Sequence, residues 1–317
     1  MPKKIVSILV AFLLFLAGGG GGGGDAWANE VLIVQGGSSG PYEEAVLGFE
    51  QAMAAYEASQ GVKSLVPVLL PKVTLNSGED VAVLQTKIKE RQCSILLAVG
   101  QKALEALAGI DHVPIVYLLV PSPGLVRIRP DNLTGIKLSL PPERQLATLV
   151  EARPDIRRVG VIFDPAHSAD LVQAADKFLS SQARQLVPFQ ATEPRQMAVG
   201  LQALNGKIDA LWMLPDRDYI TSAAMETMAL FSMQTHIPII SFSEKFLETG
   251  AMMAIVPDPK GVGSQASIPI IQILQGIPVS QISVLEPQAS KIHINEYVAE
   301  HLGALPPNGN KARGVKP

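Results

Sequence analysis

The stretch RRVGVIFDPAHSADLVQAADKFLSSQ, residues 157–182, decides the fold class of this chain. Its first part, residues 159–163, is a short apolar run typical of a buried strand, and Asp164-Pro165 interrupts that run. Residues 168–182 then place apolar side chains at helical spacing between charged ones. The stretch therefore predicts a strand, a polar turn and an amphipathic helix in direct succession.

Similar strand-and-helix units precede and follow this stretch. The apolar runs that begin such units lie at residues 31–35, 64–70, 94–100 and 114–120, and again at 157–163, 185–191, 209–214 and 237–242. Because most of the runs are continuously apolar and not alternating, both faces of each sheet should be buried under helices, as in parallel sheets. The chain is predicted to be α/β, with two Rossmann-like lobes.

The two series of units meet within residues 132–155. Pro141-Pro142 in this segment cannot lie inside a helix or a central strand, so the lobe boundary is expected there. A further strand at 251–258 and a helix at 263–276 follow the second series, with Pro269 kinking that helix or setting its start. The polar tail from residue 304 to 317 is predicted to be disordered.

The N-terminus has the three parts of a secretory signal. Lys3 and Lys4 precede an apolar stretch at residues 5–17, and a glycine run then leads to AWA at 26–28. The apolar stretch would cover about 20 Å as a helix, which is short of a bilayer core of roughly 30 Å. We expect residues 1–28 to be removed after Ala28. The stretch LAGG contains no cysteine for a lipid anchor, and a retained signal is the alternative.

Composition places the chain among well-buried globular proteins, with 47% hydrophobic and 17% charged residues. The formal net charge is −3, and the sequence shows no basic stripe or aromatic ladder, so nucleic acid is not an expected partner. The single cysteine, Cys93, has no partner for an internal disulfide and is predicted to be a core residue.

Three sequence patterns resemble motifs with a known chemical role. GGSSG at 36–40 matches a nucleophile elbow at Ser38, but it follows the first strand with no oxyanion-hole loop upstream, so a polar ligand-facing loop is the better reading. GVGSQA at 261–266 resembles a dinucleotide-binding turn, yet Pro257 and Pro259 separate it from the preceding strand. The five histidines lack metal-ligand spacing, so neither a metal nor a cofactor is predicted.

Polar residues cluster where predicted strands end. In an open parallel sheet ligands bind beyond these carboxyl ends, where helix N-termini offer free N–H groups. The candidate ligand-binding residues are Ser38, Ser39, Tyr42, Gln101 and Ser122 in the first lobe, and His167, Ser168, Asp216, Asp218, Ser243 and Glu244 in the second.

The candidate residues suggest two kinds of ligand group. Asp216, Asp218 and Glu244 would supply negative charge for a cationic group, while Ser168 at a helix start would suit a carboxylate. For Asp218 a simple N-cap role is an equal alternative. His167, between a strand end and a helix start, is either a ligand contact or a solvated loop residue.

Four segments together resemble the substrate-binding proteins of ABC importers that include tryptophan- and tyrosine-type binders. They are NLTGIKLSLPPERQLATLVEARPDIRRVGVIFDPAHSAD at 132–170, KIDALWMLPDRD at 207–218, IPIISFSEKFLETGAMMAI at 237–255 and KIHINEYVAEHLG at 291–303. The resemblance implies a type I periplasmic-binding-protein fold with three crossovers and hinge closure. It places residues 29–140 and 247–278 in the first lobe and residues 141–246 and 279–303 in the second.

The chain departs from the family pattern at several site positions. Asp216 lies at the aspartate that the resemblance associates with a ligand amino group, and Glu244 retains an acidic position. Ser122 and Ser243 replace two other carboxylates, and Ala169 stands where asparagine is usual, which weakens the case for an α-amino acid ligand. Apolar pocket lining by Tyr42, Phe242 and Phe246 is one possibility; core packing explains the two phenylalanines equally well.

The sequence thus predicts a periplasmic, monomeric and non-catalytic binding protein for a small organic ligand, with an amino acid or related compound as the candidate. The resemblance implies that a separate membrane permease and ATPase carry out transport. A ligand sensor that partners a membrane receptor and a serine hydrolase based on Ser38 are the alternatives.

Overall fold

The computed structural model describes residues 30–60, 72–75, 93–193, 195–215 and 221–303, together with residues 81, 84–86 and 88. The predicted strand at 64–70, the signal at 1–28 and the tail at 304–317 lie outside this part of the chain. Among the described residues, no helix is long and apolar enough to cross a membrane.

The first sheet has five parallel strands in the order β2-β1-β3-β4-β5. Its strands are β1 (Val31–Gln35), β2 (Lys72–Thr74), β3 (Ile95–Val99), β4 (Ile115–Leu118) and β5 (Leu133–Gly135).

The second sheet has six strands in the order β11-β10-β9-β8-β6-β7, and all pairs are parallel except β10 with β11. Its strands are β6 (Arg158–Phe163), β7 (Gln185–Gln190), β8 (Ala210–Trp212), β9 (Ile239–Ser241), β10 (Met253–Pro257) and β11 (Ser290–Ile294).

Helices cover both faces of the sheets. They are α1 (Gly40–Gln60), α2 (Gln101–Ala106), α3 (Pro142–Ala152), α4 (Pro165–Ser181), α5 (Gln196–Leu204), α6 (Ser222–Thr235), α7 (Pro259–Leu274) and α8 (Glu296–His301). Pro269 lies inside α7 and does not set its start. The segment after β9 forms only a short 3-10 turn, Glu244–Phe246, where the sequence had suggested a helix.

Each sheet has an apolar core on both of its faces. Within β1, Leu32 and Val34 belong to one buried cluster, and the alternate residues Val31 and Ile33 belong to another. The second sheet is likewise divided between two clusters. This arrangement confirms the prediction from continuously apolar strands, because successive side chains of a strand point to opposite faces. Cys93 is buried, as predicted.

The described chain passes between the two sheets in three places. The first crossing follows β5 at residues 136–141, and the second lies between β10 and α7, since α7 packs against α1 of the first lobe. The third precedes β11. Ile136 forms a parallel bridge with Leu285, and Lys137 Nζ lies 2.5 Å from Glu286 Oε1, so the first and third crossings run side by side.

Two of the predicted lobe assignments are wrong. Residues 247–257 do not return to the first lobe, because β10 pairs with β9 and β11 inside the second sheet. Residues 279–285 do not yet belong to the second lobe, because Thr134 Oγ1 donates to the Ile282 carbonyl at 3.1 Å and Leu285 N donates to Gly135. An apolar strand can pair with a strand of either sheet, so the sequence alone does not decide which sheet it joins.

Helices α1 and α7 cross at very close range. A Cβ added at Gly263 of α7 would overlap the carbonyl oxygen of Ala45, and one added at Gly48 of α1 would overlap the carbonyl oxygen of Lys260. The two glycines therefore let the backbones touch, and this contact attaches α7 to the first lobe.

Candidate functional site

The loop after β1 forms one side of the first lobe's carboxyl edge. Gly37 has a φ of 147°, a region that favours glycine, and the exposed Ser38 and Ser39 follow it. The Ser39 carbonyl accepts hydrogen bonds from the backbone N–H groups of Tyr42 and Glu43, at 3.0 and 3.1 Å. The loop thus leads directly into the first turn of α1.

Gln35, at the end of β1, connects this loop to the first turn of α1 through its side chain. It is fully buried, and its Nε2 donates to the Gly37 carbonyl at 2.6 Å and to Glu43 Oε1 at 2.8 Å. The hydrogen bond from Gln35 lowers the pKa of Glu43, and nearby Lys72 lowers it further, against the opposing effect of burial. Glu43 is therefore held as a carboxylate.

The next strand ends bring three more predicted residues together. The ring of Tyr42 lies against Gly100, where an added Cβ would come within 2.5 Å of the Tyr42 hydroxyl oxygen. Gln101 Oε1 accepts from the backbone N–H of Ser122 at 3.2 Å. The first-lobe candidates therefore lie along one edge, formed by the ends of β1, β3 and β4.

In the second lobe, Asp164 begins α4. Its side chain accepts from the Ala166 N–H at 2.8 Å as an N-cap, and its second carboxylate oxygen lies 3.2 Å from His167 Nδ1. The His167 side chain is 61% exposed, while Ser168 is buried in the first turn of the helix. Of these two candidates only His167 presents its side chain to solvent.

The turn after β9 holds the other described candidates of this lobe. Ser241 Oγ donates to the Ser243 carbonyl at 3.0 Å and accepts from the Ser243 N–H at 3.1 Å, which fixes the direction of the turn. Glu244 follows and is half exposed, and its Oε1 lies 3.2 Å from His293 Nε2. Among the described residues, His293 Nε2 has no hydrogen-bond partner, so the two groups are close without being hydrogen-bonded.

A polar contact joins the two lobes next to this turn. Lys291 Nζ on β11 lies 3.2 Å from Glu44 Oε2 in the first turn of α1. His293 lies two residues further along β11, on the same face as Lys291. Burial lowers the pKa of His293, the nearby carboxylates Glu244 and Glu44 oppose this, and the cation Lys291 adds to it. His293 is therefore held in its neutral form.

A cavity of about 690 Å³ lies beside this turn, between α6 and residues 245–249. Phe246 contributes to its wall but is also buried in the second-lobe core, where it packs edge-to-face on Phe242 at 5.4 Å between ring centroids. Core packing thus accounts for both phenylalanines. The cavity is lined by Thr221, Ser222, Met225, Glu226, Ala229, Leu230, Met233, Lys245, Phe246 and Thr249.

Asp216 and Asp218, the predicted contacts for a cationic group, lie outside the described residues. Of the other candidates, Ser38, Ser39, Tyr42, Gln101 and Ser122 lie at one carboxyl edge, and His167, Ser168, Ser243 and Glu244 at the other. Four further polar residues at these edges were not predicted from the sequence: Gln35, Glu44, Lys291 and His293. For Gln35 a signal was available, because it is the only polar residue of the strand VLIVQ and stands at its carboxyl end.

In the described residues no group of three or more potential ligands could hold a metal ion.

Two α/β lobes with polar carboxyl edges, joined by three crossings, define the class of two-lobed periplasmic binding proteins. Residues 33–309 match the family described as ABC transporter substrate binding protein. The chain belongs to this family.

One relative of this chain is a binding protein by its name. The tyrosine-binding protein of Clostridioides difficile (strain R20291) is 25% identical over 202 residues, which cover 61% of this chain and 58% of that protein. The chain thus matches less than two thirds of that relative's length.

Solved structures support the fold. A substrate-binding protein with adhesive properties from Clostridium difficile, in its ligand-free, open form, matches with a TM-score of 0.60 and 20% identity, covering 91% of this chain and 99% of that one. A XylFII–LytSN complex matches with a TM-score of 0.51 and 13% identity, covering 85% and 99%. At these identities the likeness concerns the fold alone.

Proposed function

We propose that the chain is the extracytoplasmic binding component of an ABC importer and that it captures a small organic ligand by closing its two lobes. The observation that carries the proposal is the position of the predicted ligand residues. Those in the described chain line the carboxyl edges of both sheets, where parallel sheets bind ligands.

Closure follows from the way the lobes are connected. A ligand that contacts both carboxyl edges makes its full set of contacts only when the edges approach, so it favours the closed form by its differential affinity. The first and third crossings are tied by the Ile136–Leu285 bridge and the Lys137–Glu286 pair, and in the second crossing Asp258 N donates to the Ala289 carbonyl at 3.0 Å. The three crossings together would serve as the hinge.

The proposed ligand is an amino acid or a related compound. The name of the tyrosine-binding relative makes aromatic amino acids the first probes, although serines at 122 and 243 stand where the family often has carboxylates. Asp216 would meet the amino group of such a ligand. The N-terminus of α4, as the positive end of the helix dipole, would suit a carboxylate.

The proposed partners are a membrane permease and an ATPase, since binding alone moves no solute across a membrane. Residues 1–28 would direct secretion without a lipid anchor, and the mature chain would act as a monomer. Catalysis has no part in this proposal.

A thermal-shift screen of residues 29–317 tests the proposal. The panel would contain L-tyrosine, L-tryptophan, L-phenylalanine, L-leucine and non-amino-acid metabolites of similar size. A ligand at a hundred times its dissociation constant adds about 2.7 kcal/mol to the free energy of unfolding. We expect at least one amino-acid probe to raise the melting temperature reproducibly. Stabilisation by none of the panel would contradict the proposed ligand class.

A further inference from the structure

Helix α3 connects the hinge to the second lobe. It begins at Pro142, directly after the first crossing, and its Arg144 Nη2 donates to Gln288 Oε1 at 2.8 Å in the third crossing. One turn later, the hydroxyl oxygens of Thr148 and Ser290 lie 2.8 Å apart at the start of β11. The outer face of α3 is thus attached to the hinge.

The inner face of the same turn carries Gln145, which is only 5% exposed. Its Oε1 accepts from the indole Nε1 of Trp212 at 2.7 Å. Its Nε2 donates to the carbonyl oxygens of Ile255 at 3.0 Å and Ser241 at 3.4 Å. One side chain therefore contacts three neighbouring strands, β8, β9 and β10.

The chemistry of the partners requires this side chain. An indole nitrogen only donates and a backbone carbonyl only accepts, so the site needs one acceptor and two donors in one group. A glutamine amide in a single orientation supplies all three. Glutamate would offer no donor to the two carbonyls. An apolar residue would offer a partner to none of the three groups, and the buried indole N–H of Trp212 would lose its hydrogen bond at a cost.

Two of these strands, β8 and β9, lead to second-lobe candidates. Trp212 ends β8, and residues 213–215 lead from it to Asp216. Ser241 ends β9, and its hydroxyl holds the turn of Ser243 that precedes Glu244. Whatever fixes the ends of β8 and β9 therefore also fixes the point at which the chain leaves β8 toward Asp216 and the turn that precedes Glu244.

We propose that Gln145 is a positioning residue of the ligand site, which holds the carboxyl ends of β8, β9 and β10 in place relative to the hinge. It acts through the strand ends and does not itself contact the ligand. This inference rests on the proposed function.

The test compares Gln145→Met with Gln202→Met, an exposed glutamine on α5, in residues 29–317. L-tyrosine is the probe, or the panel amino acid that stabilises the wild type most. We expect Gln145→Met to raise the calorimetric dissociation constant about tenfold or more, which corresponds to about 1.4 kcal/mol, with native far-ultraviolet circular dichroism. Gln202→Met should bind like the wild type.

A purely structural role predicts a different result. It would lower the urea midpoint of Gln145→Met but leave the dissociation constant of the folded protein unchanged, and that outcome overturns the proposal. The emission of Trp212 gives a separate signature, because the only other tryptophan, Trp27, lies before residue 29. Loss of the hydrogen bond to its indole should shift this emission in Gln145→Met and not in the control, and an unshifted emission would count against the contact.

Two further measurements cover the remaining outcomes. If Gln145→Met does not fold, the milder variant Trp212→Phe is measured instead. Weaker binding of the probe by Trp212→Phe supports the proposal, and unchanged binding overturns it.

If the wild type binds no member of the panel, the proposed function fails, and Gln145 is tested by hydrogen exchange. Faster exchange of the amides of residues 213–214 and 242–244 in Gln145→Met supports the role in positioning, and unchanged exchange overturns it.

Discussion

His293 is buried beside the contact between the two lobes. Burial lowers the pKa of His293, and so does the charge of Lys291, while Glu244 and Glu44 raise it. The effect of burial is the largest, so the pKa of His293 in the folded chain is lowered from 6.5. The unfolded chain then binds a proton at higher pH than the folded chain does. The free energy of unfolding should therefore fall as the pH drops from about 6.5 toward the lowered pKa.

Replacing His293 with glutamine tests this pH dependence. Between about pH 7.5 and about pH 5.5, urea unfolding should show a smaller loss of stability in His293→Gln than in the wild type. Burial raises the pKa of Asp209, but the side chain of Arg158 and the backbone N–H groups of Arg157 and Arg158 together outweigh it and lower this pKa, so Asp209 titrates below this window. His167→Gln, at an exposed site, is the control. Equal losses in His293→Gln and the wild type would contradict the burial argument.

Asp216 carries the prediction for an amino-bearing ligand. Asp216→Ala should weaken binding of the panel's best amino acid by about 1–3 kcal/mol, the loss expected for a hydrogen bond to a charged group. Asp176→Ala, an exposed aspartate within α4, is the matched control and should leave calorimetric binding unchanged. If both variants bind like the wild type, Asp216 does not belong to the site.

Single residues were predictable where they follow an apolar strand. Ser38, Gln101 and Ser122 were predicted to lie at the carboxyl edge in this way, because parallel strands end at that edge, and the structure places them there. Gln145 was not, since an amide in the first turn of an amphipathic helix has the pattern of a solvated residue. Lys291 and His293 alternate with isoleucines as in any edge strand. The contact of Lys291 with Glu44 in the other lobe and the contact of His293 with Glu244 therefore leave no local signal.

Helix packing gives the sharpest prediction for an element. Gly263→Ala should destabilise the chain by about 1–3 kcal/mol or more, because the new Cβ would overlap the backbone of α1 and outweigh the gain in helix propensity. Gly124→Ala is the control, since nothing lies within 4 Å of an added Cβ there. Urea unfolding measures both, and equal stability of the two variants would mean that α1 and α7 separate at little cost.

Strands and helices followed from the sequence where the hydrophobic period was clear, as in β6 and α4. The start of α4 was placed too late, because the role of Asp164 as N-cap puts the first turn at Pro165. The sheet to which β10 belongs could not be predicted. Its apolar run fits either sheet, and pairing with β9 and β11 is a long-range property.

At the scale of the whole molecule, the lobes are joined by the three crossings and by the surface ion pair of Lys291 with Glu44. Exposed ion pairs of this kind contribute about 0–1 kcal/mol, so they guide the approach of the lobes without locking them together. A ligand that makes several contacts with each edge contributes more free energy to closure than such an ion pair does. Closure should therefore depend on the ligand and not on the salt bridge.

Small-angle X-ray scattering of residues 29–317 tests lobe closure most directly. The radius of gyration would be measured alone and with a saturating amount of the panel amino acid that stabilises the chain most, with a non-stabilising amino acid as control. A smaller radius with the first probe and an unchanged radius with the second is the predicted result. Calorimetric binding of the first probe with no change in radius would contradict capture by closure of the two lobes.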